Sequence, residues 1–492
     1  MNRFFLSLFC SIIAVNTAIA QSVTEWESTF RKINSEVQSN SKAYSTLKEA
    51  TETIGHRLTG SANGEKAEEY AFNLLKSYGY HVKYQPFKVE SWSRGTISTK
   101  IQDGNDLTEI KSVSLAHSPV KAEVSGSLVD MGNGLEEDYL ADPNRTKGKV
   151  ALVYLGILPG SKAGLKNLHR SEKTALAIRY GASGIIIFNT VPNGVLLTGT
   201  ASVTGKLIPI PAVCIGLEDG MQLKERLKTQ TVAANISMTN SSGIINARNV
   251  IATLKGKGLR EEKIVVGGHL DSWDLATGAI DNGIGSFSVL DMARTFSVLK
   301  LQPKRTIEFV MFMGEEQGLL GSSAYVQKAT QDGSADQIRY MLNYDMTNDP
   351  NGFRSTDSDS KDLFQSIGKV ASSIDTIFKN TFSAGAGLHS DHQPFMLQGI
   401  PTGGAAGGKL PNNSGRCYHA DCDSFDLVDE QGMKNTVRFN SMLIYGLADA
   451  ETIVAKKMTD VETRDFLIKN NLKEPLQIAG EWRWDENSNL KR

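Results

Sequence analysis

Residues 263–274 read KIVVGGHLDSWD, residues 306–318 read TIEFVMFMGEEQG and residues 340–346 read YMLNYDM. Each begins as a short apolar run and then breaks into side chains that carry chemistry: His269, then Glu315 and Glu316, then Asp345. A run of this length bounded by polar residues reads as a strand buried on both faces. Residues 287–299, between the first two runs, read as a helix. Strand, loop and helix therefore alternate from about Gly243 onward. That rhythm predicts an α/β fold with a largely parallel sheet covered on both faces, in which ligands bind outside the carboxyl ends of the strands. The polar residues just named all sit at such ends.

Toward the N-terminus the pattern changes. Residues 61–78 space Ala67, Tyr70, Ala71, Leu74 and Tyr78 as the apolar face of a helix, and Gly79 follows where a left-handed stop is wanted. From about Ser114 to Ser237 the chain becomes short apolar runs cut by Gly and Pro, with one helical segment at 172–180 ending at Gly181. At the start, Arg3, an apolar run at 4–15 and Ala18-Ile19-Ala20 form the pattern of a cleaved export signal. The expected mature chain begins at Gln21 and is secreted or periplasmic. The leader's apolar run is shorter than the roughly 20 residues a bilayer span needs, and no other stretch is long enough, so no membrane partner is expected.

The roughly 470 residues that follow exceed one ordinary core, so two domains are expected. With 53 basic and 54 acidic residues the net charge is −1, which gives no electrostatic reason to expect nucleic acid or an anionic membrane surface. Cys214, Cys417 and Cys422 remain after the leader, and an oxidising compartment permits a bridge between the close pair.

Most of the candidate residues also have an ordinary explanation. Glu-Glu is usually a solvated loop pair, but two carboxylates directly after an apolar strand need a cation or a proton if they are buried. Asp281, just before a helix, has the position of an N-cap. His269 alone reads as a structural histidine, with Asp271 two residues on as a partner for its ring or its turn. Asp345, closing an apolar strand, has no packing reason to be there. Arg416 reads as a surface residue or a carboxylate binder. Residues 403–409 imitate a phosphate loop, but Leu410 replaces the required hydroxyl residue and no strand-turn-helix context surrounds it.

Taken in order, GGHLDSWD, GAIDNG, GEEQGLLGS, NYDM, SDHQPF and YHADCD resemble the zinc exopeptidases of peptidase family M28. HLDSWDLATGAIDNG and ESWSRG (90–95) are similar to its carboxypeptidase Q branch, whereas SDHQPF and YHADCD are similar to its aminopeptidase and glutamate carboxypeptidase II branches. The GASGIIIFN segment resembles a protease-associated domain. The resemblance implies a three-layer αβα domain with a central mixed, mostly parallel sheet, in segments 21–113 and 238–492. A β-rich protease-associated insertion would occupy 114–237, after a leader at 1–20. It implies two Zn2+ per chain, His269 and Asp345 on one ion, Glu316 and His419 on the other, and Asp281 bridging them. Glu315 would be the general base, Asp271 the supporting aspartate and Tyr418 the oxyanion donor, while Asp391 and His392 would line the wall. The bond after Asp281 would be cis. The expected activity is cleavage of terminal peptide bonds, aminopeptidase ahead of carboxypeptidase or dipeptidase, with a peptide substrate and a homodimer left open. Two other classes share the scaffold. Single-zinc glutaminyl cyclases do without equivalents of His269 and Asp345, and inactive binding proteins lose the ligands.

Overall fold

The computed structural model describes residues 26–484, so the expected leader lies outside the described residues. Its strands are β1 (His81–Asp103), β2 (Asp106–Ile110), β3 (Ser112–Ser114), β4 (Lys121–Asp130), β5 (Val150–Tyr154), β6 (Gly184–Phe188), β7 (Ala212–Ile215) and β8 (Val232–Leu254). They continue as β9 (Lys263–His269), β10 (Thr306–Phe312), β11 (Ile338–Asn343), β12 (Gly352–Ser355), β13 (Thr381–Ala384) and β14 (Thr402–Ala406). Hydrogen bonding orders them β13-β12-β14-β11-β9-β10-β8-β4-β5-β6-β7-β3, with β1 beside β8 and β2 beside β1.

The centre of the larger lobe is β14-β11-β9-β10, all parallel. β9 and β10 are almost wholly buried, as two-sided strands must be, and alternate residues serve opposite faces. Ile264, Val266, Ile307 and Phe309 pack toward helices Ala43–Thr53, Ala62–Ser77, Ile284–Val298 and Glu430–Asp449, whereas Val265, Val310 and Phe312 meet Tyr325 and Phe395 from helices Leu320–Gln331 and His392–Leu397. The helix at Ala62–Ser77 starts where Ser61 accepts the Gly64 N–H and ends before Gly79 at φ +87°. Register then aligns the strand ends. His269 lies beside Phe312, and Asn343 beside Gly267, so Asp345 emerges level with His269.

The inserted lobe is more α/β than the β-rich texture of its sequence suggests. Parallel strands β4-β5-β6-β7 carry helix Arg170–Arg179 on one face and Leu217–Arg226 on the other. The lobes are joined by β1 and β8, a 23-residue antiparallel pair whose register runs from His81–Thr253 to Asp103–Val232 with one irregularity between Arg94 and Ile97. One end of β8 pairs with β10 in the larger sheet, the other with β4 in the insert. No helix among the described residues is long and apolar enough to cross a membrane.

Candidate metal centre

His269 ends β9 with its Nδ1–H donating to the backbone carbonyl of Asp271 at 3.1 Å. That bond fixes the tautomer and leaves the Nε2 lone pair facing outward. His419 is oriented in the same way from the opposite side, its Nδ1 lying 3.3 Å from the carbonyl of Thr198 in the insert. Asp281 lies between the rings, with Oδ1 3.3 Å from His269 Nε2 and Oδ2 3.1 Å from His419 Nε2. Asp345 Oδ1 stands 3.4 Å from His269 Nε2, and Glu316 Oε2 stands 3.0 Å from His419 Nε2. Glu315 Oε2 is 4.0 Å from His269 Nε2. Every metal ligand expected from the sequence is therefore brought to one place, with Glu315 beside it.

These residues fit a pair of dications. Donors held about 2.0–2.1 Å from a tetrahedral zinc lie about 3.3 Å apart, and the separations above fall around that value. His269 Nε2, Asp345 Oδ1 and Glu316 Oε1 are buried without a hydrogen-bond partner among the described residues, as unfilled ligand atoms would be. Two overlapping clusters, His269–Glu315–Asp345 and His269–Asp281–Glu316, have donor atoms close enough to share an ion. Four carboxylates face two imidazoles whose geometry is that of neutral ligands, a charge excess that two dications balance. Burial opposes charge on His269, but Glu315 and Asp345 outweigh it and hold the ring's pKa well above its ordinary value. Burial, reinforced by Asp345, Glu316 and Asp391, pushes Glu315 well above the usual carboxylate range.

Several supporting residues escaped the sequence reading. Asp423 accepts the N–H groups of Ile280 (2.7 Å) and Asp281 (3.0 Å), clamping the backbone that presents the Asp281 carboxylate. Buried Arg57 donates to the carbonyls of Leu270, Thr277 and Gly278 and ties the two ligand loops together. The Asp281–Asn282 peptide is cis, as the family resemblance implies, and the Asn282 side chain, which the sequence reading did not single out, donates to the carbonyls of His269 and Tyr344. Ser390 donates to Asp345 Oδ2 at 2.7 Å and leaves Oδ1 for the centre. Asp423 lay inside the YHADCD motif, but the recipients of its bonds are 142 and 143 residues away. Asp271 supports the site in two ways. Its carbonyl holds His269, and its carboxylate accepts the Glu315 N–H at 3.3 Å.

Cys417 and Cys422 are bridged, enclosing Tyr418 and His419 in a short loop. The Tyr418 ring stacks on the His419 ring at 3.8 Å. A cleft of about 80 Å³ opens from the centre and is lined by Glu315, Glu316, Tyr418 and His419 of the larger lobe and by Arg170 and Glu172 of the insert. Arg416 is exposed and does not line it, whereas Arg170 is buried there with its Nε unpartnered.

Sheet, strand-end ligands and cleft together define a metallopeptidase. A model of peptidase family M28 matches residues 249–444, and a model of the PA domain matches residues 124–223. Residues 249–444 thus carry a peptidase family M28 domain, with a PA domain inserted ahead of them in the peptidase fold. It is 28% identical over 458 residues to aminopeptidase YwaD of Bacillus subtilis (strain 168), covering 90% of this chain and 94% of that one. The crystal structure of a peptidase M28 precursor from Shewanella amazonensis SB2B superposes with a TM-score of 0.75 at 21% identity, covering 89% of this chain and all of that one. BSAP, a zinc aminopeptidase from Bacillus subtilis, superposes with a TM-score of 0.61 at 24% identity, covering 85% and 98% of the two chains.

Proposed function

We propose that this chain is an exported aminopeptidase that binds two zinc ions and removes N-terminal residues from peptides. The observation that carries the reading is the divided carboxylate of Asp281, one oxygen toward each histidine. In this reading His269 and Asp345 would hold one ion, Glu316 and His419 the other, and the Asp281 carboxylate would serve both. Zinc bound there would lower the pKa of a water to about 7 and polarise the scissile carbonyl.

The chain's own residues supply the remaining steps. Glu315, at the cleft wall with its affinity for a proton raised by burial, takes the proton of the attacking water and delivers it to the leaving amine. The Tyr418 phenol, at the same wall, donates to the oxyanion. Asp271 holds both the His269 ring and the Glu315 backbone. The insert closes one side of the cleft through Arg170, Glu172 and Thr200, which limits the length of chain that fits beyond the scissile bond. Export is supported by the Cys417–Cys422 bridge, which suits an oxidising compartment.

The names of the relatives support the aminopeptidase reading. One observation favours a carboxypeptidase or dipeptidase instead. Arg170, buried with a free Nε, lies where it could hold the carboxylate of a short substrate. A panel of dipeptides offered free, N-acetylated and C-amidated separates the two. An aminopeptidase loses cleavage on acetylation and keeps it on amidation; retention on acetylation overturns the reading.

A further inference from the structure

A second cleft, of about 400 Å³, meets the candidate metal centre at Asp345 and is not lined by Tyr418. Asp345, Ser390, His392, Arg354 and Ser383 line it with the loop 384–388. Its charge is one-sided. The only carboxylate among its lining residues is Asp345, with Oδ2 taken by Ser390 and Oδ1 facing His269. Burial, and then the nearby Arg354, lowers the pKa of His392 to about 4, so this ring is neutral. Arg354 is exposed and forms no ion pair or side-chain hydrogen bond among the described residues. A guanidinium without a counter-ion therefore stands in a cleft whose other end is the catalytic centre.

The spacing suits a side chain of the substrate. Arg354 lies on β12, two strands from β11, through β14. At 4.7–4.9 Å per strand, that is about 10 Å from the strand that leads into Asp345. Arg354 pairs in register with Ser383 on the adjacent parallel strand, which adds a hydroxyl on the same face. Gly385 and Gly387 keep the wall low, because a Cβ at either would meet nothing within 4 Å. The orientation of the substrate follows from Glu315. This residue lines the first cleft, so the leaving amine that receives its proton lies on that side. The acyl half, which in an aminopeptidase is the N-terminal residue, then extends past Asp345 into the second cleft.

We propose that the cleft beyond Asp345 receives the side chain of the N-terminal residue, and that Arg354 selects a carboxylate there, so that peptides beginning with glutamate or aspartate are preferred substrates. The inference rests on the aminopeptidase reading and adds its substrate class. The test compares kcat/KM for Glu-Ala-amide, Gln-Ala-amide and Leu-Ala-amide in wild type, Arg354→Gln and Arg354→Lys, with the melting temperature of each variant measured alongside. Wild type is expected to favour Glu over its isostere Gln by about fivefold or more, with the ratio shrinking at high salt. Arg354→Gln should bring that ratio to about one, and Arg354→Lys should restore part of it. Free glutamate, the acyl-half product, should inhibit wild type more strongly than free glutamine. A wild type that cuts the Leu and Gln peptides at least as well as the Glu peptide overturns the inference and leaves the aminopeptidase reading standing. So does an Arg354→Gln variant that lowers all three rates in proportion. If no amidated dipeptide is cut while N-acetylated ones are, the aminopeptidase reading fails and this inference fails with it.

Discussion

The two halves of the proposed metal centre are built on different principles. His269 and Asp345 are set by parallel strands of a buried sheet, so backbone register alone brings them level. His419 instead sits on a loop at φ +53°, held by the Cys417–Cys422 bridge and by a contact with the insert, where Thr198 donates its N–H to the His419 carbonyl and accepts from the ring. The strand half inherits the rigidity of the core, whereas the loop half depends on a covalent clip and a second lobe. Asp281 joins them and is itself steadied by Asp423, which follows Cys422.

This contrast can be broken or sharpened by experiment. Glu315 belongs to neither ion in the proposed scheme, so Glu315→Gln should lower kcat by about 10²–10⁴-fold while metal analysis still finds two zinc ions per chain. Loss of an ion would make Glu315 a ligand. Asp423→Ala should release the backbone of the bridging residue and weaken both ions by about 10–100-fold, read by competition with a chelator. Replacing both Cys417 and Cys422 with serine should weaken one ion by about tenfold and leave the other unchanged. Equal weakening would erase the distinction between the halves. Asp271→Asn keeps the carbonyl that orients His269 and an acceptor for the Glu315 N–H. Its effect on kcat should stay below about tenfold, and a larger loss would mean that the charge of Asp271, not its shape, supports the site.

The legibility of the molecule divides in a similar way. β9, β10 and β11 were readable because two-sided burial leaves uninterrupted apolar runs, and the residues that end them were readable as candidates because polar side chains there have no packing role. The motif that carries His419 was recognisable, but not its dependence on Thr198, a contact spanning 221 residues. The β1/β8 pair was missed for a related reason. β1 alternates exposed and half-buried residues without a strong apolar face, and each of its inner partners lies on a strand more than a hundred residues away. Arg57 and Asp423 were hidden because backbone carbonyls and N–H groups, their partners here, leave no mark in a sequence.

The β1/β8 pair also bears on the order in which the chain can fold. Its two strands are separated by the whole insert, so the ribbon cannot close until that lobe has been made, whereas β4–β7 find their parallel neighbours within residues 121–215. The helical segment at 26–40 must wait longer still, since Phe30 packs on Tyr445 and Asn34 accepts from Arg438. A chain growing from its N-terminus would therefore hold residues 26–98 without their partners on β8 and beyond while the inserted lobe assembles first. The segment acquired as an interruption of the peptidase domain is, by connectivity, the one that can become native before its host.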